Sequence, residues 1–147
     1  MRVAIFAFVI ICLSGAAEAK TCLADHAVYH MDDGKGFTLK FVKAKEPTAY
    51  SALDAIVTSP KRKLEFSFTA SNGYSFNYLV PRWKDAPADA DFHIFIFDSK
   101  MKTLDLPQSG KAAPPFLLTP ELGSFFWYGQ EPREFLPANV WRLQTCG

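Results

Sequence analysis

Chemistry in this chain could come from four kinds of side chain: cysteine, histidine, carboxylate and aromatic rings that the core does not use. The cysteines are Cys12, Cys22 and Cys146. Cys12 lies inside an N-terminal apolar run, and Cys22 and Cys146 stand near the two ends of the remaining chain. Once that run is removed two thiols remain, and an even count in an oxidising compartment predicts a disulfide. A redox pair would keep its thiols close in sequence, and a metal site would need further ligands beside them. Neither pattern occurs around Cys22 or Cys146. A Cys22–Cys146 staple is expected, and in the chain-entropy model so long a loop contributes ~4–5 kcal/mol.

The histidines are His26, His30 and His93. On one strand His26 and His30 share a face but stand ~13 Å apart at ~3.3 Å per residue, too far for one ion. Asp32-Asp33-Gly34 opens like a calcium loop, yet the remaining EF-hand spacing and its distal Glu are missing. A turn with solvated acids is the expectation there. No metal and no cofactor is expected. The chain has no Gly-x-Ser-x-Gly, no His-Glu-x-x-His and no phosphate loop. Asp89 and Asp91 flank a loop, and nothing in the sequence places them across a cleft as paired carboxylates.

The aromatic residues carry more information. Periodicity assigns Phe66, Phe68, Phe76, Tyr78, Phe92 and Trp141 to a core. Trp83, in a Pro-flanked loop, and the run from Phe125 to Tyr128 fall outside that alternation. Trp and Tyr offer a large contact area, a polar tip and little rotamer entropy to lose on binding. Trp127, Tyr128 and Trp83 are therefore the candidate binding residues. On a strand, Phe125 and Trp127 face one way and Phe126 and Tyr128 the other. One pair then joins the core, and Gly123 and Gly129 let the segment stand clear of the sheet.

The elements that must position these residues are mostly strands. Leu64 to Val80 alternates apolar and polar residues on either side of Ser71-Asn72-Gly73, which predicts a β-hairpin. A three-residue loop would pair Phe68 with Phe76, Phe66 with Tyr78, Leu64 with Val80 and Ala70 with Tyr74. That register makes one face wholly apolar, with Gly73 at a positive-φ bulge and Leu79 outside as the exception. A four-residue turn, Pro60 to Lys63, pairs Ser59 with Leu64 and Val57 with Phe66, adding Leu53 to Ser59 as a third strand. Ala27 to Met31 and Phe37 to Lys43 read as another hairpin. Asp91 to Asp98 reads as a strand apolar on both sides, Met101 to Leu106 as a short edge strand and Val140 to Thr145 as the last strand. Pro107 to Pro120 reads as a long connection, and Thr119 to Gly123 as one helical turn with Thr119 as its N-cap. The fold class is mainly β: a single antiparallel domain, sandwich or partly open barrel, of about seven to nine strands.

The N-terminus reads as an export signal. Met1-Arg2 is a positive start, Val3 to Leu13 is apolar, and Ser14 to Ala19 ends in the Ala-x-Ala pattern of a signal-peptidase site. The apolar run is shorter than the ~20 residues a spanning helix needs. Residues 1–19 are expected to be a cleaved signal peptide and residues 20–147 one exported domain. A net charge of +1 makes nucleic acid and anionic membrane poor partners. The expectation is a periplasmic or secreted, disulfide-tied, non-enzymatic binding or inhibitor-type module of the cell envelope. Its partner would be an unidentified protein, peptide or glycan. The alternatives are a hydrolase of envelope glycan or ester that assembles dispersed carboxylates and a histidine, and a structural envelope component.

Overall fold

The computed structural model describes residues 21–33, 36–71, 73, 76–87, 89–137 and 140–147. The expected leader, residues 1–19, lies outside them, as do Gly34, Asn72 and Tyr74 of the expected turns. Each alternating stretch forms a strand: β1 (Ala27–Met31), β2 (Thr38–Lys43), β3 (Leu53–Thr58), β4 (Lys63–Ala70) and β5 (Asn77–Pro81). The run after Trp83 splits at Ile94 into β6 (Phe92–His93) and β7 (Phe95–Phe97). Then follow β8 (Phe116–Leu118), a helix α1 (Leu122–Tyr128) and β9 (Trp141–Cys146).

All nine strands belong to one antiparallel sheet in the order β6-β5-β4-β3-β2-β1-β9-β8-β7. The two outermost strands are halves of the same extended run. Its first half pairs with β5 and its second with β8, and the Ile94 N–H donates to Asn77 O at 2.9 Å between them. One stretch of chain thus spans both edges, and the sheet curls into a nearly closed barrel with little edge left to pair. The sheet is mainly β and antiparallel as the alternation predicts, and it is a barrel.

The barrel interior holds Tyr29, Leu39, Phe41, Leu53, Ala55, Val57, Phe66, Phe68, Leu79, Ile94, Ile96, Leu117 and Trp141, all essentially without solvent exposure. Its rings interlock, Tyr29 on Phe41 at 5.0 Å and Phe41 on Phe68 at 5.3 Å between centroids.

Two registers differ from expectation. β4 pairs with β5 as Phe68↔Leu79, Thr69↔Tyr78 and Ala70↔Asn77, through a wider connection in which the Ser71 N–H donates to Phe76 O at 2.9 Å. An odd shift reverses the face of β5, so Leu79 is buried while Phe76 and Tyr78 point outward. The reason lies beyond the hairpin. The closing strand brings His93 and Phe95 to the outside, and Phe76 and Tyr78 pack on them. Gly73 does take a positive φ of 110°, within that wider turn. β3 and β4 are offset by two residues, as Val57↔Leu64 and Ala55↔Phe66, which keeps the apolar faces together. The turn is Ser59 to Arg62 because the Ser59 hydroxyl accepts the Lys61 and Arg62 N–H groups at 3.3 and 3.0 Å.

Three local readings also change. The outer side of the closing strand, His93, Phe95 and Phe97, is half-buried rather than enclosed. The Pro107–Pro120 connection contains β8, whose Leu117 fills the interior. The Met101–Leu106 stretch pairs back on β7 through the bridge Phe97↔Thr103, with the Leu104 N–H donating to Ile96 O at 2.8 Å and the Asp98 N–H to Lys102 O at 2.9 Å, but is too short to form a strand of its own. His26 belongs to a 3-10 turn, Ala24–His26, and does not share a strand with His30.

The ends of the barrel are closed differently. At one end Cys22 and Cys146 are joined in a disulfide with Cα atoms 5.5 Å apart, beside the 3-10 turn. Across the other lies α1. Phe126 meets Phe37 at the start of β2, and Phe125 meets Phe92 at the start of β6, at 5.2 and 4.9 Å between centroids.

Candidate functional site: an aromatic groove on the helix

The four-aromatic run is helical, which corrects its reading as a strand. On a helix, side chains three and four apart share a face. Leu122 and Phe126 therefore point together into the barrel and are fully buried. Phe125 leans sideways, half-buried, against Phe92 and Trp83. The helix continues past Gly123, which is no stop signal. Thr119 is no side-chain cap either: its hydroxyl accepts the Trp141 Nε1–H at 2.9 Å inside the core.

Pro120, Gly123, Ser124, Trp127 and Tyr128 occupy the remaining face. Opposite them runs Glu134 to Pro137, contributing Phe135 and Leu136. Together Pro120, Gly123, Ser124, Trp127, Tyr128, Phe135 and Leu136 line an open groove of about 600 Å³. Trp127 is 40% exposed, Phe135 61% and Tyr128 80%. The Trp127 and Phe135 rings stand nearly perpendicular, 6.4 Å apart at 86°. The floor is low because Gly123 has no side chain. A Cβ there would lie 2.8 Å from the Leu136 carbonyl oxygen, so only glycine allows the two segments this approach.

A buried polar clasp holds the opposite wall. The Glu134 N–H donates to Phe126 O at 3.1 Å. Its carboxylate accepts the Ser59 hydroxyl at 2.7 Å and Arg62 Nε at 3.0 Å. Arg62 also donates to Gln130 Oε1 at 2.7 Å and to Pro132 O. Ser59 and Arg62 begin and end the β3–β4 turn, so this turn fixes where Phe135 and Leu136 sit. Charge-assisted bonds to a largely buried carboxylate are strong when every partner is in place.

The groove itself carries no Asp, Glu, Lys, Arg or His among its described lining residues. It can stack, exclude water and offer the Ser124 and Tyr128 hydroxyls. No group of three His, Cys, Asp or Glu near enough to hold a metal ion occurs among the described residues. No described helix is long and apolar enough to cross a membrane.

Of the sequence-predicted site residues, Trp127 and Tyr128 meet in this groove. Trp83 does not. It is half-buried and packs edge-on against Phe66 at 5.4 Å and tilted against Phe125 at 5.9 Å, closing the core beneath the helix. Phe135, Leu136, Gly123 and Ser124 escaped sequence reasoning as site residues. The signal available was Phe135-Leu136, an apolar pair inside an otherwise polar stretch. No family model, curated protein or solved structure matches this chain.

A second aromatic cluster lies on the outer face of β5 and the closing strand. Phe76, Tyr78 and Phe95 surround His93, with Phe95 stacked on the imidazole at 8° and 5.9 Å. Glu121 accepts the His93 backbone N–H at 3.1 Å and meets Nδ1 at 2.7 Å, so an ionised Glu121 fixes Nδ1 as the donor. This pair fastens the start of α1 to the closing strand. Asp89 and Asp91 are exposed loop residues.

Proposed function

We propose that the protein is an exported, non-enzymatic binding module of the cell envelope whose partner docks in the groove between α1 and Phe135-Leu136. One observation carries the reading: three large aromatic side chains stand exposed around a single small-residue floor. Burying such rings in contact with a partner is favourable, and a fold without a function for them would leave fewer in water. The groove's place is fixed by rigid neighbours, Leu122 and Phe126 in the core and Glu134 in its clasp. The Ala-x-Ala leader pattern and the Cys22–Cys146 disulfide support export to an oxidising compartment.

The test compares wild type with Trp127→Ala and Tyr128→Ala as immobilised baits for envelope extract. Both variants are expected to keep the wild-type melting temperature and to lose the partner that wild type retains. A large fall in melting temperature with retention intact would mark the two rings as structural. N-terminal sequencing of exported protein should begin at Lys20, and a start at Met1 would remove the export reading.

A further inference from the structure

We infer that the occupant of this groove is a neutral oligosaccharide. The inference rests on the reading of the groove as a partner-binding surface and adds the chemical class of what it binds.

Charge gives the first argument. The described lining is uncharged, although Glu121, Glu131 and Arg133 all lie within a few residues of it in sequence. An ionic ligand would leave water for a surface with no counter-charge, which is costly. Shape gives the second. Tyr128 is 80% exposed and the groove is open, so a bound molecule keeps one side in water. The occupant must therefore be amphipathic across its thickness. A pyranose ring is: its axial C–H groups form an apolar face for an indole or phenol ring, and its hydroxyls point to the rim and solvent. The Trp127 and Phe135 rings meet edge to face at 6.4 Å, so a flat ring lies beside this pair over the Gly123–Ser124 floor, and Ser124 and Tyr128 place hydroxyls at the edge. The volume of about 600 Å³ falls within the ~300–1,000 Å³ usual for small-molecule sites and accommodates a short oligomer.

The backbone gives the third argument, against an extended peptide. A peptide added as a strand needs an unpaired edge to bond its own N–H and C=O groups. One wall here is a helix, whose backbone groups bond internally. On the other wall the Leu136 carbonyl is pressed against Gly123.

The experiment uses exported chain, with its disulfide formed, on an array of neutral and anionic glycans. Intrinsic fluorescence titrations with maltotriose, cellotriose and tri-N-acetylchitotriose accompany it. The same protein is panned against a displayed peptide library. Two variants are run beside wild type: Trp127→Ala, which removes the stacking ring, and Ser124→Leu, which fills the floor from an exposed helix position without touching the core. Retention of neutral glycans is expected, at least ~10-fold weaker in both variants, the loss typical of one hot-spot contact, with unchanged melting temperatures. Retention of anionic glycans alone, or of none, overturns the inference. If peptides bind in a Trp127-dependent way and neutral glycans do not, the carbohydrate class is wrong while the groove reading stands. If neutral glycans bind and both variants bind them equally well, the groove reading is wrong too.

Discussion

The two ends of the barrel solve the same problem, closing a sheet over a core, with different interactions. At the disulfide end closure is covalent and directional. The Ala24 N–H donates to Lys111 O at 2.8 Å, Ala113 N–H to Cys22 O at 2.7 Å and Gly147 N–H to His26 O at 2.8 Å. Asp25, largely buried, accepts the Gly110 N–H at 3.3 Å and stands 3.5 Å from Lys43 Nζ. At the helix end closure is by rings: Phe126 on Phe37, Phe125 on Phe92 and Trp83 on Phe66. Packing is less directional than hydrogen bonding, so a helix held by two core side chains can present its other face to solvent. The groove arises at the end where closure leaves side chains to spare.

Breaking the disulfide end should have the largest effect. Replacing Cys22 and Cys146 by Ser opens a loop of 124 residues in sequence separation, and equilibrium unfolding should show a loss of ~4–5 kcal/mol. If the ends are energetically separate, Trp127 fluorescence in the folded variant stays as in wild type. At the helix end, Phe126→Ala removes a fully buried ring and should cost ~3–5 kcal/mol by leaving a cavity against Phe37. It should also loosen the groove, seen as faster amide exchange through 122–128. Equal loss of protection around the disulfide would show that the two ends unfold as one.

Gly123→Ala is a finer test. Its Cβ meets a backbone oxygen at 2.8 Å, so the Glu134–Pro137 segment must move. We expect a loss of ~1–3 kcal/mol, as for other overpacked sites, with altered Trp127 emission. A variant as stable as wild type with unchanged emission would show that the close approach is unimportant.

The smallest effect is the pH response, in which two aspartates act in opposite directions, Asp25 beside the disulfide and Asp54 on β3. Burial pushes the Asp25 carboxyl up, but the Gly110 N–H, its own backbone N–H, His26 and Lys43 outweigh it, and the group titrates below the usual range. A depressed folded pKa gives stability that is present above the unfolded value of ~3.9 and lost as pH falls through the folded one. Asp25→Asn should therefore flatten the acid limb of a stability–pH curve. Asp54 is raised by burial, with Glu65 and Glu46 adding to it and Arg82, 3.4 Å away, offsetting it only in part. The unfolded chain gives up this proton first, so Asp54 contributes least above its folded pKa. Asp54→Asn should raise stability at neutral pH relative to wild type and lose that advantage in acid. Curves in which both variants shift in the same direction would contradict these assignments.

Period-two alternation in residues 27–31, 37–43 and 64–70 needs no tertiary information to be recognised, because each stretch has one face toward a core and one toward water, whereas residues 53–59 also fit a helical period and read as a strand only beside 64–70. β8 was hidden by its neighbouring prolines and its shortness. The β4–β5 register was misread because a hairpin considered alone hides all its large apolar residues on one face. Here a third strand supplies aromatic partners on the outside, and Leu79 takes the inside place. The site was half legible. Trp127 and Tyr128 stand out as rings outside the strand alternation, whereas Trp83 looks the same in sequence and is consumed by packing on Phe66 and Phe125.

The sequence by itself determined that the chain is a mainly antiparallel β domain, which of its cysteines would pair, and which aromatic run departs from the strand pattern. Those properties are local, or depend on counting: side-chain period, cysteine number, turn residues. Only the tertiary structure decided that the sheet closes through one strand shared by both edges, that the aromatic run is a helix, and that Phe135 and Leu136 form the groove's second wall. Each of these depends on contacts between residues far apart in the chain. Gly123 and Leu136 meet because Ser59 and Arg62, more than sixty positions before Leu136, hold Glu134 in place.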